Sequence, residues 1–133
     1  MKKSEVPQDK SSLSSIAMRE LCYATDDNGN YTTALSAGWE PKTVALDNSM
    51  SLINERIEEA KIALKKGDAS PIAYYMELNR MDLTILSSYV GKWQWQVKRH
   101  FQPKVFHSLS EKTLSKYAEA FGITIEALKN PTI

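Results

Sequence analysis

The sequence has few of the residues that cross-link a chain or carry it through a membrane. Its single cysteine, Cys22, has no second cysteine with which to form a disulfide or a thiolate metal site, so we interpret it as a small apolar residue. No run approaches the ~20 apolar residues that a membrane-spanning helix needs. Residues 4–12 are too polar for the apolar core of a signal peptide. We therefore expect a cytoplasmic protein with no membrane partner.

Sequence motifs of catalysis and of cofactor binding are also missing. The five glycines are scattered and form no phosphate-binding loop, and neither a His-Glu-x-x-His motif nor a nucleophile elbow occurs. His100 and His107 have no carboxylate near them in sequence, so we interpret both as surface residues. Residues 26–30 resemble part of a calcium loop but lack its spaced acidic ligands and closing glutamate. The sequence predicts no enzyme, no catalytic residue, no cofactor and no metal site.

Charge is nearly balanced overall but is unevenly distributed. Residues 1–70 carry nine Lys/Arg and eleven Asp/Glu, whereas residues 71–133 carry eight and five. No residue from Leu83 to Ser110 is acidic. A basic stretch without acids suits a polyanionic partner, although short acid-free windows also arise by chance. Its basic residues are Lys92, Lys98, Arg99 and Lys104, joined by His100 and His107.

The first 35 residues predict a flexible start, a short helix and a β-hairpin. Residues 1–12 are polar and are expected to be flexible, and Leu13–Leu21 has helical spacing of its apolar residues. Asn-Gly lies between runs 22–25 and 31–35, which are rich in aromatic and β-branched residues, and this pattern predicts a tight hairpin. Because an isolated hairpin is marginally stable, we expect it to pack on a neighbour such as Trp39.

A long amphipathic helix is predicted from Val44 to Lys66, after a break at Pro41 and with Thr43 as its N-cap. Its apolar residues recur at steps of four and three, which fits either a helix that covers its own core or a dimer seam. The run is too short to favour a coiled coil. The candidate residues for a homodimer contact are Leu46, Met50, Ile53 and Ile57, and residues 13–66 are also the expected surface for any protein partner.

A domain boundary is predicted near residue 69. The helical domain (70–133) follows it, and a hairpin-and-helix region (13–69) with a flexible start (1–12) precedes it. Gly67 can end the long helix, and Ser70 with Pro71 can begin the next. The spacing of apolar residues and caps then predicts five short helices, with Gln102–Leu109 as a basic loop. Their expected ranges are 71–79, 83–90, 93–101, 111–121 and 125–129.

Two segments of this domain resemble the Cro/C1 (lambda-repressor-like) helix-turn-helix family. Residues 81–91 (MDLTILSSYVG) are similar to its first motif helix and turn, and residues 109–128 are similar to its closing two helices. The matching motif positions are Leu86, Ser87, Val90, Gly91 and Val97. The resemblance covers the C-terminal half only and implies a mainly α protein with a five-helix DNA-binding domain.

The resemblance also implies that the helix around Trp93–Phe101 lies in the major groove of double-stranded DNA. Glutamine can pair with adenine, and arginine or lysine with guanine or phosphate. For Trp95 we favour core packing, and for Lys98 and Arg99 the alternative is a solvated face. The candidate DNA-binding residues are Trp93, Gln94, Gln96, Lys98, Arg99 and Lys104.

The function that follows is sequence-specific DNA binding, as in a bacterial transcriptional regulator that acts as a homodimer. The alternative is a protein–protein interaction module, antitoxin- or adaptor-like, on a helix-turn-helix scaffold that no longer binds DNA. Lys92, Trp93 and His100 favour this alternative, because the family usually has apolar or small residues at these positions.

Overall fold

The computed structural model describes residues 1–133, and it is mainly helical with one antiparallel hairpin. Two short 3-10 turns, Lys3–Glu5 and Ser12–Ile16, precede the hairpin. The chain divides into two compact units, 1–51 and 52–133, and the longest helix runs through the boundary. The strands and helices are β1 (Glu20–Thr25), β2 (Tyr31–Ser36), α1 (Glu40–Lys66), α2 (Pro71–Leu78), α3 (Leu83–Val90), α4 (Gln94–His100), α5 (Pro103–His107), α6 (Glu111–Phe121) and α7 (Ile125–Lys129).

The predicted hairpin is confirmed, with β1 and β2 paired from Glu20↔Ser36 to Thr25↔Tyr31. Its turn is held by Asp26, whose carboxylate accepts hydrogen bonds from the N–H groups of Asn28 and Asn30 at 2.9 Å each. The hydrogen bond from Asn30 is the main cause that lowers the pKa of the Asp26 carboxyl. Gly29 has φ +82°, which is why glycine suits this turn.

The N-terminal residues lie against the hairpin. Met1 O accepts a hydrogen bond from Thr25 N–H at 3.0 Å, and the Gln8 side-chain amide bonds to the main chain of β2 and the residues that follow it. The predicted helix at Leu13–Leu21 is wrong. Only a 3-10 turn forms, Ala17 at φ +54° ends it, and strand pairing from Glu20 onward overrides the helical spacing.

Helix α1 begins at Glu40, so the predicted start at Val44 is wrong. Pro41 occupies the first turn, where its missing N–H costs no hydrogen bond, and Thr43 N–H donates to Trp39 O at 3.0 Å. No α1 side chain is fully buried. Near its C-terminal end, three apolar residues of the predicted seam pack against the core of residues 52–133. They are Ile57, Ala60 and Leu64.

Residues 71–129 form six short helices around one core, whereas the sequence predicted five. The segment predicted as a basic loop contains α5, because Pro103 suits a first helical position and Phe106 is buried in the core. The predicted bounds of the other five helices are correct to within one residue. The largest core side chains with less than 2% solvent exposure are Ile72, Leu86, Val90, Val97, Tyr117 and Leu128.

Membrane crossing by a helix would need a long apolar segment, and no helix of this structure combines the necessary length and apolarity.

Candidate nucleic-acid interface

The helix pair α3–α4 presents the candidate site. Asp82 caps α3 by accepting a hydrogen bond from Ile85 N–H at 2.7 Å, and Gly91 ends the helix with φ +64°. Ser87 is buried at the crossing, and its hydroxyl donates to Thr84 O at 2.9 Å. A small buried residue followed by a left-handed glycine therefore lets the chain turn sharply into α4.

Two glutamines fix the start of α4. Gln94 Nε2 donates to Thr84 Oγ1 at 3.2 Å, so it ties α4 to α3. Gln96 Oε1 accepts a hydrogen bond from Trp93 N–H at 3.1 Å and thereby caps its own helix. Gln94 stays exposed, whereas Gln96 is half-buried. The amide oxygen of Gln96 is thus engaged within α4, whereas that of Gln94 has no hydrogen-bond partner.

One face of α4 is buried and the opposite face is open. Val97 has no solvent exposure and carries the contact with the core, whereas Trp93 and Trp95 are 73% and 63% exposed. Lys98 and Arg99 are exposed beside Trp95. Lys104 on α5 is exposed as well. The open face of α4 therefore carries an aromatic ring next to two cations.

The prediction that Trp95 packs in the core is wrong. Residues two apart on a helix lie about 200° apart around its axis, so a buried Val97 directs Trp95 to the opposite side. The 3.6-residue period contains this signal, because Val97 stands at an apolar position of the motif and Trp95 cannot share its face. Trp95 therefore joins the residues of the open face, although it is not among the predicted DNA-binding residues.

None of the cations of the candidate site is paired with an acid. The ion pairs of this structure join Lys42 to Glu20, Arg56 to Glu77 and Lys61 to Glu58, all outside the site. The absence of acids from Leu83 to Ser110 explains this at the level of sequence. The site consequently holds unneutralised positive charge on Lys92, Lys98, Arg99 and Lys104.

His100 is only partly exposed, so its interpretation as a surface residue is incomplete. Its ring is half-buried, and Nδ1 lies 2.7 Å from the hydroxyl of Tyr117, which is buried at the centre of α6. Burial, followed by the charges of Lys92 and Arg99, lowers the pKa of the His100 imidazole. Burial raises the pKa of the Tyr117 hydroxyl, which therefore stays protonated. No pattern in the sequence predicts this contact, because it depends on where the tertiary fold places α6 relative to α4.

The main chain at the end of α4 is held from another side. The Ser70 hydroxyl donates to His100 O at 2.8 Å, and Ser70 N–H donates to Phe101 O at 2.8 Å. Ser70 lies at the predicted N-cap position of α2, but its side chain makes no capping hydrogen bond there and bonds to α4 instead. Together with Tyr117, Ser70 fixes where the last turn of α4 lies.

His107 is exposed as expected, and its ring lies against that of Phe106. No group of three His, Cys, Asp or Glu side chains lies close enough to hold a metal ion.

Comparison with known proteins adds no relative to this description. No protein-family model, curated protein or solved structure matches the chain.

Proposed function

We propose that this protein binds double-stranded DNA in a sequence-specific manner through α4, as a transcriptional regulator of the lambda-repressor-like helix-turn-helix type. The observation that carries the proposal is the open face of α4, where Trp95 stands between unpaired Lys98 and Arg99. The α3–α4 turn at Gly91 and the placement of Val97 in the core also fit the motif.

The dimensions of α4 support major-groove binding. Seven helical residues span about 10 Å, and the major groove is about 12 Å wide, so the open face can reach base edges. Gln94 is the best candidate for base contact, since its amide oxygen is unpaired and its position is fixed by Thr84. Gln96 supports the helix start instead.

Lysine and arginine supply the contacts to phosphate in this proposal. Lys98 and Arg99 would flank the groove, and Lys104 would contact the backbone beyond the end of α4. Each phosphate contact releases counterions, so the affinity should fall with salt at about 0.9 logarithmic units per contact and per tenfold rise in salt.

The decisive experiment is selection of bound duplexes from a random library at two salt concentrations, followed by affinity measurements on the selected sequence. The double variant Lys98→Ala/Arg99→Ala should bind more weakly, with a salt slope lower by roughly 2. Lys112→Ala/Lys129→Ala is the matched control, because it removes the same charge from exposed sites outside the acid-free stretch. Equal slopes for the two variants would refute the phosphate contacts.

A second candidate function is a protein-binding module on the same scaffold. It is favoured by three exposed aromatic side chains, Tyr89, Trp93 and Trp95, because exposed aromatic groups are typical of protein interfaces. A folded protein that binds no duplex at low salt would support this second function and exclude the first.

A further inference from the structure

The hairpin leaves one of its faces uncovered. Side chains alternate along each strand, and the odd-numbered residues of β1 and β2 share the face that points away from the buried Ala24 and Ser36. That face carries no charge. Its large side chains are Leu21, Tyr23, Tyr31 and Leu35, of which Tyr23 and Tyr31 are 80% and 92% exposed.

The outer edge of β2 is also open. Asp26 N–H donates to Asn30 O at 2.9 Å, so the even-numbered residues of the two strands form the hydrogen-bonded pairs of the hairpin. The odd-numbered residues therefore direct their N–H and C=O groups outward, away from the other strand. Two hydrogen bonds of odd-numbered residues confirm this outward direction: Thr25 N–H donates to Met1 O, and Leu35 O accepts from Gln8 Nε2. Tyr31 and Thr33 have no such partner on their outward N–H and C=O groups.

Proteins usually protect an edge strand with lysine, proline or a bulge. The stretch from Tyr31 to Trp39 contains no charged residue and no proline, and β2 pairs without a bulge. On β1, by contrast, the main chain of Met1 occupies the outer edge at Thr25, and Glu20 adds a charge. The edge of β2 therefore lacks these protections among its own residues, whereas β1 is covered at Thr25 and carries a charge at Glu20.

We propose that a second copy of this chain pairs on this edge, with β2 antiparallel to β2 about a two-fold axis at Thr32. In this register Tyr31 of each copy lies opposite Thr33 of the other. The four unpaired main-chain groups of one copy, two on Tyr31 and two on Thr33, are then matched by the four of the other. Each cross-strand pair joins an aromatic to a β-branched side chain, which is a favourable combination. The bonds of Gln8 remain in place.

Charge complementarity supports a second copy as the partner. Lys3 and Gln8 line a surface depression beside Thr33 and Leu35. In the proposed register, the turn that carries Asp26 and Asp27 lies next to this depression on the other copy. The two-fold axis thus brings the acidic turn of each copy to a lysine of its partner, and this happens twice in a closed dimer.

The first test is the mass of the full chain in solution without DNA. We expect twice the chain mass of 15.0 kDa, and Thr33→Pro should return it to the single-chain mass. The hairpin ladder does not use the Thr33 N–H, so proline removes a donor to the second copy without breaking a hydrogen bond of the hairpin. Thr33→Val keeps that donor and should stay dimeric. A single-chain mass at all concentrations would overturn the proposal.

The second test fixes the register and does not depend on a folded proline variant. Residues opposite each other at a non-hydrogen-bonded pair lie about 4.5 Å apart at Cα, within the range of a disulfide. Thr32→Cys in a Cys22→Ser background should therefore cross-link into a dimer under mild oxidation. Ala34→Cys in the same background should not, because it would lie opposite Asn30.

Two results would overturn the proposed contact. Equal cross-linking at positions 32 and 34 would mean random collision. Cross-linking of unmodified Cys22, with none at position 32, would assign the contact to the edge of β1. Both tests are made without DNA, so either failure leaves the proposed DNA binding to be judged on its own measurements.

Discussion

The hydroxyl of Tyr117 lies 2.7 Å from Nδ1 of His100, and this hydrogen bond ties the last turn of α4 to the centre of the helical core. The open face of α4 and the contact between His100 and Tyr117 lie on opposite sides of this short helix. The orientation of the open face of α4 is therefore held in part by a side chain on α6, which lies outside the candidate site.

Tyr117→Phe should destabilise the protein by about 1–3 kcal/mol, because it leaves a half-buried imidazole nitrogen without a partner. Urea unfolding measures this change. Tyr89→Phe removes the hydroxyl of an exposed tyrosine and should leave the free energy of unfolding nearly unchanged. Equal effects of the two variants would show that the His100–Tyr117 bond contributes nothing specific.

Acidification should destabilise the protein through His100. Its pKa is lowered in the folded state, so below the ordinary value of 6.5 the unfolded chain binds the proton first. Stability is then fully present above that value and falls as the pH decreases through the folded pKa. Urea midpoints from about pH 8 to about pH 5 test this. His100→Gln should flatten the decline, and an unchanged profile would contradict it.

Gly91→Ala should cost about 1–2 kcal/mol, because φ +64° strains any residue with a Cβ. An added Cβ would meet no atom within 4 Å, so the cost comes from the backbone alone. Gly91→Asn should cost less, since asparagine tolerates this conformation better. If alanine and asparagine were equally costly, the left-handed backbone at this position would not be the source of the cost.

Trp95→Ala should weaken DNA binding and change the free energy of unfolding by less than about 0.5 kcal/mol, since the ring is mostly exposed. Affinity for the selected duplex, measured beside urea unfolding, separates the two effects. Tyr89→Ala removes an exposed aromatic ring from α3 and serves as the control. Loss of stability without loss of affinity would place Trp95 in the fold rather than in the interface.

Local signals predicted the helical half well. Gly91, Ser110 and Thr124 fix helix ends through their own backbone or side chain, and a sequence contains that information. The start of α1 was predicted too late because proline can either interrupt a helix or occupy its first turn, and Pro41 occupies the first turn. Ser70, His100 and the N-terminal residues form their contacts with residues far away in the sequence, and no local sequence pattern predicts such contacts.

The side chain of Gln8 has a consequence for how uniform the proposed dimer would be. Its amide bonds to Leu35 O and Ala37 N, so it occupies the end of the β2 edge as another strand would. Only Tyr31 and Thr33 stay available on that edge, and two residues suffice for one closed pair of chains. Without Gln8 the open edge would continue to Leu35, and β2 could pair with a second β2 in more than one alignment. Each alignment would still close at two copies, because an antiparallel pair of identical strands is two-fold symmetric, but the pairs would be a mixture. Gln8 thus gives the proposed dimer a single arrangement.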